Sequence, residues 1–231
     1  MSRAIKLMSA LPIKGAFAET IGPSLQAAGI DCSVEWMPTK LILERLLMQD
    51  EASDLVFALD DGIEALNRSG KLYASSIRSV VSSGYGLAVR AGDPHPNVAD
   101  IDALRSTLLE ADSVAFSKTG ASGIYFDSVL DQLGIADRIK ERATIIHSGL
   151  TAEMLIARRA NIAIQQISEL LSVPGIEIVG PFPDPLQQTI KFSAAISKST
   201  EAFDAANTIL ETLLSLGAAA AYQKFGLVPL F

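Results

Sequence analysis

The chain has 231 residues, 49% of them apolar and 19% charged, with a formal net charge of -7. This composition excludes a disordered chain and gives no reason to expect binding to nucleic acid or acidic membranes, although a locally basic cleft can still hold an anion. The length allows one large domain or two lobes of about 100 residues that each bury a core. The single cysteine, Cys32, excludes an intramolecular disulfide, and two histidines (His95, His147) without a cysteine cluster give no zinc-type spacing, so neither a metal nor another cofactor is expected.

In chain order, residues 5–9 predict a strand and residues 10–28 a helix, with Pro12 in a first turn where its missing N–H costs nothing and Gly29 at the end. Lys6 and Lys14 interrupt any apolar leader core, so the sequence as written is expected in the cytoplasm, or in the periplasm if an export signal has been removed. No window reaches the roughly 18–20 uninterrupted apolar residues of a membrane span. Residues 32–36 alternate like a strand, and Pro38 and Thr39 start a helix carrying Leu43, Leu46 and Leu47 at helical spacing. Residues 54–59 form a continuous apolar run, as in a parallel strand covered on both faces, and Asp60 and Asp61 cap a helix over 62–68 that Gly70 ends. This β-α series implies a parallel sheet with right-handed crossovers.

Residues 80–89 then predict a long strand with a glycine break, followed by a polar, proline-bearing segment at 92–97 that suits a crossing between lobes. A second series has strands at 113–116, 144–146, 162–165 and 176–179, with helices at 124–133, 150–159 and 168–172. A strand at 189–196, a helix at 200–216 capped by Ser199 or Thr200, and a last helix ending near Gly226 complete the chain. The expected architecture is α/β and two-lobed, the first lobe from residues 1–84 plus 191–231 and the second from 85–190, with the ligand in a cleft between lobes. Such folds place ligands where strand carboxyl ends and helix starts meet.

Residues 116–125 stand out among those turns. An apolar strand runs into hydroxyls at Ser117, Thr119 and Ser122, an ammonium at Lys118, and glycines at 120 and 123 that let backbone approach a bound group. The lysine precedes the glycines, so this is not a Walker A loop. The other expected turns carry Ser9, Ala10 and Lys14, then Thr39 and Lys40, then His147 and Ser148, and finally Gln165 and Gln166, whose amides need partners if buried. Lys14 also reads as an ordinary solvated lysine, His147 as a structural donor, Glu169 as a favourable first-turn acid, and Trp36, Tyr85 and Tyr125 as packing residues.

The order of motifs resembles the bacterial extracellular solute-binding family that includes the molybdate-binding periplasmic proteins. The motifs that carry it are Ser9-Ala-Leu-Pro-Ile-Lys-Gly-Ala16, Ser53-Asp-Leu-Val56, Ser122-Gly-Ile-Tyr125, Gln165-Gln-Ile-Ser-Glu-Leu-Leu171 and Gly175-Ile-Glu-Ile-Val-Gly-Pro-Phe-Pro183. The resemblance implies a type II periplasmic-binding-protein fold holding a small anion, through Ser9, Ala10, Lys14, Thr39, Lys118, Thr119, Ser122, Ser148 and Gln166, with an ABC transporter as partner only if the chain is exported. The family's serine ligand falls near Ala10 and Leu11 here and its tyrosine on Gln166, so an organic carboxylate is expected in preference to molybdate. A branch similar to aconitate isomerase implies the alternative of a cytoplasmic isomerase of an unsaturated polycarboxylate, in which His147 moves the proton.

Overall fold

The computed structural model describes residues 3–231, so residues 1 and 2 of the expected first lobe lie outside the described residues. Ten strands follow one another: β1 (Ile5–Ser9), β2 (Cys32–Trp36), β3 (Leu55–Leu59), β4 (Arg78–Arg90), β5 (Val114–Ser117), β6 (Thr144–Ile146), β7 (Ile162–Gln166), β8 (Ile176–Pro181), β9 (Thr189–Ile196) and β10 (Val228–Pro229). The chain divides into two compact units, the first comprising Met1–Ser82 with Ile190–Phe231 and the second Ser83–Thr189.

In the first unit β1 pairs in parallel with β2 and β3, and β9 runs antiparallel to β3. Alternation along these strands builds two cores. Leu7, Leu55, Phe57, Phe192 and Ile196 face the helices Phe203–Leu213 and Leu216–Lys224, while Met8, Val56, Ala58 and Ala195 face Ile42, Leu46, Ile63 and Leu66. A sheet covered on both sides explains the unbroken apolar run of β3, and each such side chain contributes roughly 1.5–3 kcal/mol on burial. Trp36 packs edge-on against Phe17 at 5.6 Å.

The expected first helix opens as a 3-10 turn, Leu11–Ile13, and widens into a π-helical turn, Phe17–Ile21, before Gly22–Ala27. Pro23 has no N–H for the Glu19 carbonyl, and the widened turn absorbs that defect by letting the Gly22 N–H reach Phe17 O. Asp60 and Asp61 are not caps. The helix starts at Asp60 itself, Asp61 takes the Gly62 N–H, and Asp60 accepts the Ser193 hydroxyl at 2.6 Å. Ser199 and Thr200 do not cap the next helix either, because it starts later, at Phe203 with Ala202 as its N-cap; the two hydroxyls donate to Ser53 O and to Asp54. The expected 200–216 helix ends at Leu213, and Ser215 caps a new one by accepting the Ala218 N–H.

In the second unit the strand order is β8-β4-β7-β5-β6, with β7 antiparallel to β4 and parallel to β5. β4 runs through Gly84 without a break, because the Gln187 side chain acts as its missing strand partner: it accepts the Tyr85 N–H and donates to Tyr85 O. Two helices escape the sequence reading, Ile101–Glu110, capped by Asp100, and Ala136–Lys140. The expected 150–159 helix shrinks to Glu153–Ile156, and Arg158 turns left-handed at a φ of 54°. The helix expected from 124 begins at Ala121, which moves Ser122 and Gly123 into its first turn.

Candidate functional site

At the carboxyl ends of β1 and β3, the first unit uses its polar groups internally. The Ser9 hydroxyl donates to Ala10 O at 2.8 Å, the Ala10 N–H donates to Phe57 O, and Thr39 Oγ1 accepts the Leu59 N–H at 3.1 Å. Thr39 also presses its methyl against Gly62, where a Cβ would lie 2.5 Å away. Lys14 is half-buried and, like Lys118, forms no salt bridge among the described residues.

The second unit is built differently. After β5 the chain winds so tightly that a Cβ at Gly123 would sit 1.6 Å from Ser117 O, and one at Gly120 would sit 2.6 Å from the Ser117 hydroxyl oxygen and 3.9 Å from that of Ser122. Only glycine satisfies these approaches, and they bring the two serine hydroxyls to the start of the helix Ala121–Gln132. Gly120 is the N-cap, without a side chain to accept the first-turn N–H groups, and no acid stands in that turn. The helix start therefore keeps its partial positive charge for something else. Ser117 is buried and its Oγ has no hydrogen-bond partner. Thr119 is committed through both its N–H and its hydroxyl to His147 O, and the Lys118 N–H goes to Ile146 O. The Lys118 ammonium is left exposed beside this turn, and the side chains of His147 and Ser148 are exposed on the turn it bonds to.

At the end of β7 the two glutamines part ways. Gln165 is a structural clamp: its carbonyl accepts the N–H and hydroxyl of Thr151 at 2.7 and 2.9 Å, and its amide donates to Gly149 O. Gln166 makes one long contact, Nε2 to Glu169 Oε1 at 3.4 Å, and its own Oε1 is buried without a partner. Ser168 Oγ and Glu169 Oε2, in the helix Ile167–Leu171, are likewise buried and unpaired. Burial pushes the Glu169 carboxyl up to about 8, so it is neutral over much of the physiological range. Tyr85 lies opposite Gln166 in the β4–β7 register and stacks on Tyr125 at 4.8 Å, and burial, with the Glu169 carboxyl nearby, raises its phenol too. The Tyr125 hydroxyl donates to Leu186 O.

Sequence reasoning names Ser117, Ser122 and Gln166, and the second unit sets Ser117 and Ser122 together. It misses Glu169, read there as a helix-start acid. The signal that could have found it is an acid placed directly after a strand whose five residues are all buried.

Among the described residues no group of His, Cys, Asp and Glu could hold a metal ion, and no helix is long and apolar enough to cross a membrane. The chain is 30% identical over 97% of its length to an aconitate isomerase from a Pseudomonas species, covering 87% of that protein. A periplasmic molybdate-binding protein of Azotobacter vinelandii superposes with a TM-score of 0.78 at 18% identity, covering 97% of this chain and 98% of that one. A sulfate-binding protein of Mycobacterium tuberculosis does so with a TM-score of 0.71 at 16% identity, covering 99% and 88%. These structures share the type II periplasmic-binding-protein fold, and at such identities the likeness concerns fold alone. Residues 5–228 match the family model described as bacterial extracellular solute-binding protein, and the chain belongs to that family.

Proposed function

We propose that this member of the solute-binding family binds a small organic carboxylate, with the 117–123 turn and Lys118 as its principal contacts in the second unit. The observation that carries the reading is the uncapped start of the helix Ala121–Gln132, wound around a buried, unpartnered Ser117 hydroxyl. An anion there satisfies the hydroxyl and the first-turn N–H groups, and the nearby ammonium adds charge. Thr119 and Ser148 flank the turn, and Gln166 extends the donor set. An organic carboxylate is preferred to a molybdate-type oxyanion because the chain is 30% identical to an aconitate isomerase and only 18% identical to the molybdate-binding protein. In an exported form of the chain, such a protein would deliver its ligand to an ABC transporter.

A thermal-shift series with molybdate, tungstate, sulfate, phosphate and a panel of di- and tricarboxylates tests the reading, because a ligand selective for the folded state raises the melting temperature. Stabilisation by carboxylates is expected. Stabilisation by molybdate or tungstate alone returns the protein to oxyanion capture.

One observation favours a second reading, the 30% identity to an aconitate isomerase. An enzyme that moves a double bond in a polycarboxylate needs a group that removes and returns a proton, and the exposed His147 imidazole is the candidate at the second unit's turns. Under that reading His147→Ala lowers turnover while affinity changes much less. Unchanged turnover removes His147 from the mechanism.

A further inference from the structure

Glu169 stands apart from the other acids of the chain. It is 5% exposed, forms no salt bridge among the described residues, and has for its two oxygens one contact at 3.4 Å. For a carboxylate in that setting, the Gln166 backbone and the Gln165 side chain offset only part of the lost water. The neutral acid fits, but it brings an O–H that wants an acceptor. Whichever way the Gln166 amide is turned, the pair can make one bond with each other and still leave a carboxyl oxygen and one end of the amide unsatisfied. The missing partner must supply an acceptor, and the carboxylate reading of the preceding subsection, on which this inference rests, supplies one.

We propose that Glu169 meets a carboxylate of the bound ligand as a neutral acid, sharing its proton across the contact, while Gln166 steadies it. Such O–H to carboxylate bonds are short and about twice as strong as neutral ones. Because Lys118 and the 117–123 turn already suit one carboxylate, an acid-type contact at Glu169 makes the preferred ligand a di- or tricarboxylate. The loose Gln166 contact lets that side chain swing aside as the ligand arrives.

The proton makes binding pH-dependent. Burial sets the Glu169 carboxyl at about 8, and above that pH two like charges would face each other. Of the elements packed against the Ile167–Leu171 helix, β7 carries no charged residue and Glu177 of β8 is engaged with His95 at 2.8 Å. From β4 comes Tyr85, whose phenol stays neutral throughout the range, with Tyr125 stacked on it.

The test is calorimetric titration of the full chain with succinate and tricarballylate, both fully ionised from pH 7 to 9.5, alongside sulfate and molybdate. Wild-type affinity for the polycarboxylates is expected to fall toward tenfold per pH unit above about 8. Glu169→Gln keeps a donor in place of the acid but no titrating proton, so the pH profile should flatten. Glu169→Ala should lose about tenfold at pH 7, roughly one charge-assisted hydrogen bond. A flat wild-type profile, or the same slope in Glu169→Gln, overturns this inference and leaves the carboxylate reading standing. Binding of sulfate or molybdate alone, or of none of the four probes, overturns both.

Discussion

In the first unit the Ser9 hydroxyl, the Ala10 N–H and the Thr39 hydroxyl are all bonded within the protein, whereas in the second Ser117, Gln166, Ser168 and Glu169 each keep a buried oxygen without a partner. Among the described residues the first unit's one comparable atom, Ser53 Oγ, precedes β3 instead of following it. An unsatisfied buried polar group costs roughly 1–3 kcal/mol, so the second unit carries a deficit at its strand ends that the first does not. Deficits of that kind persist where a ligand removes them. The buried acids differ in the same sense. Burial works against ionisation of Asp54, but Arg3, the Lys6 N–H and Thr200 outweigh it and hold that carboxyl below its ordinary range, while at Glu169 burial outweighs the Gln166 backbone and the Gln165 side chain, and no cation helps.

The strongest way to break this contrast is Gly123→Ala. A methyl 1.6 Å from Ser117 O forces the helix start apart, so carboxylate binding should drop at least a hundredfold while circular dichroism still reports a folded chain. Retained affinity would remove the turn from the site. Next in size are the opposite pH dependences of the two acids, read from chemical denaturation. Glu169 keeps its proton in the folded state between its ordinary 4.5 and about 8 while the unfolded chain releases it, so its share of stability falls as pH rises through that window, by on the order of a few kcal/mol. Glu169→Gln should abolish that fall. The Asp54 share is present above its ordinary 3.8 and lost as pH drops through its lower folded value, and Asp54→Asn should remove it.

Lys118→Ala should weaken binding about tenfold, or ~1.4 kcal/mol, with little change in melting temperature because the side chain is exposed. The smallest effects come as a pair. Ser9→Ala should cost about 1 kcal/mol of stability and leave affinity unchanged, since it removes a formed hydrogen bond. Ser117→Ala should leave the ligand-free melting temperature unchanged or raised and weaken binding several-fold, since it removes an oxygen that has no partner. A stability loss there would show that the hydroxyl has a structural role.

Most of the fold is legible in the sequence because it rests on period-2 and unbroken apolar runs: β1, β2, β3 and β9 lie within a residue of their expected bounds. The Ile101–Glu110 helix is missed because it buries only Leu104, Thr107 and Leu108 and follows a polar segment that reads as loop. The 121–123 turn is seen as a loop because its glycines look like breakers, when close packing against Ser117 O requires them. Glu169 is the hardest case. Whether an acid in a first helical turn faces water or a protein interior depends on the strands beside it, and the one local hint is the buried strand Ile162–Gln166 just before it.

Trp36, the chain's one tryptophan, sits against Phe17 in the first unit, and Cys32, its one thiol, opens the same strand. Intrinsic emission and thiol-directed dyes therefore both watch the first unit. A titration followed by either can stay silent while a ligand fills the second. A reporter for the second unit has to be installed there, and Phe182, within 6.4 Å of the Tyr125 ring, is a suitable place for an introduced tryptophan.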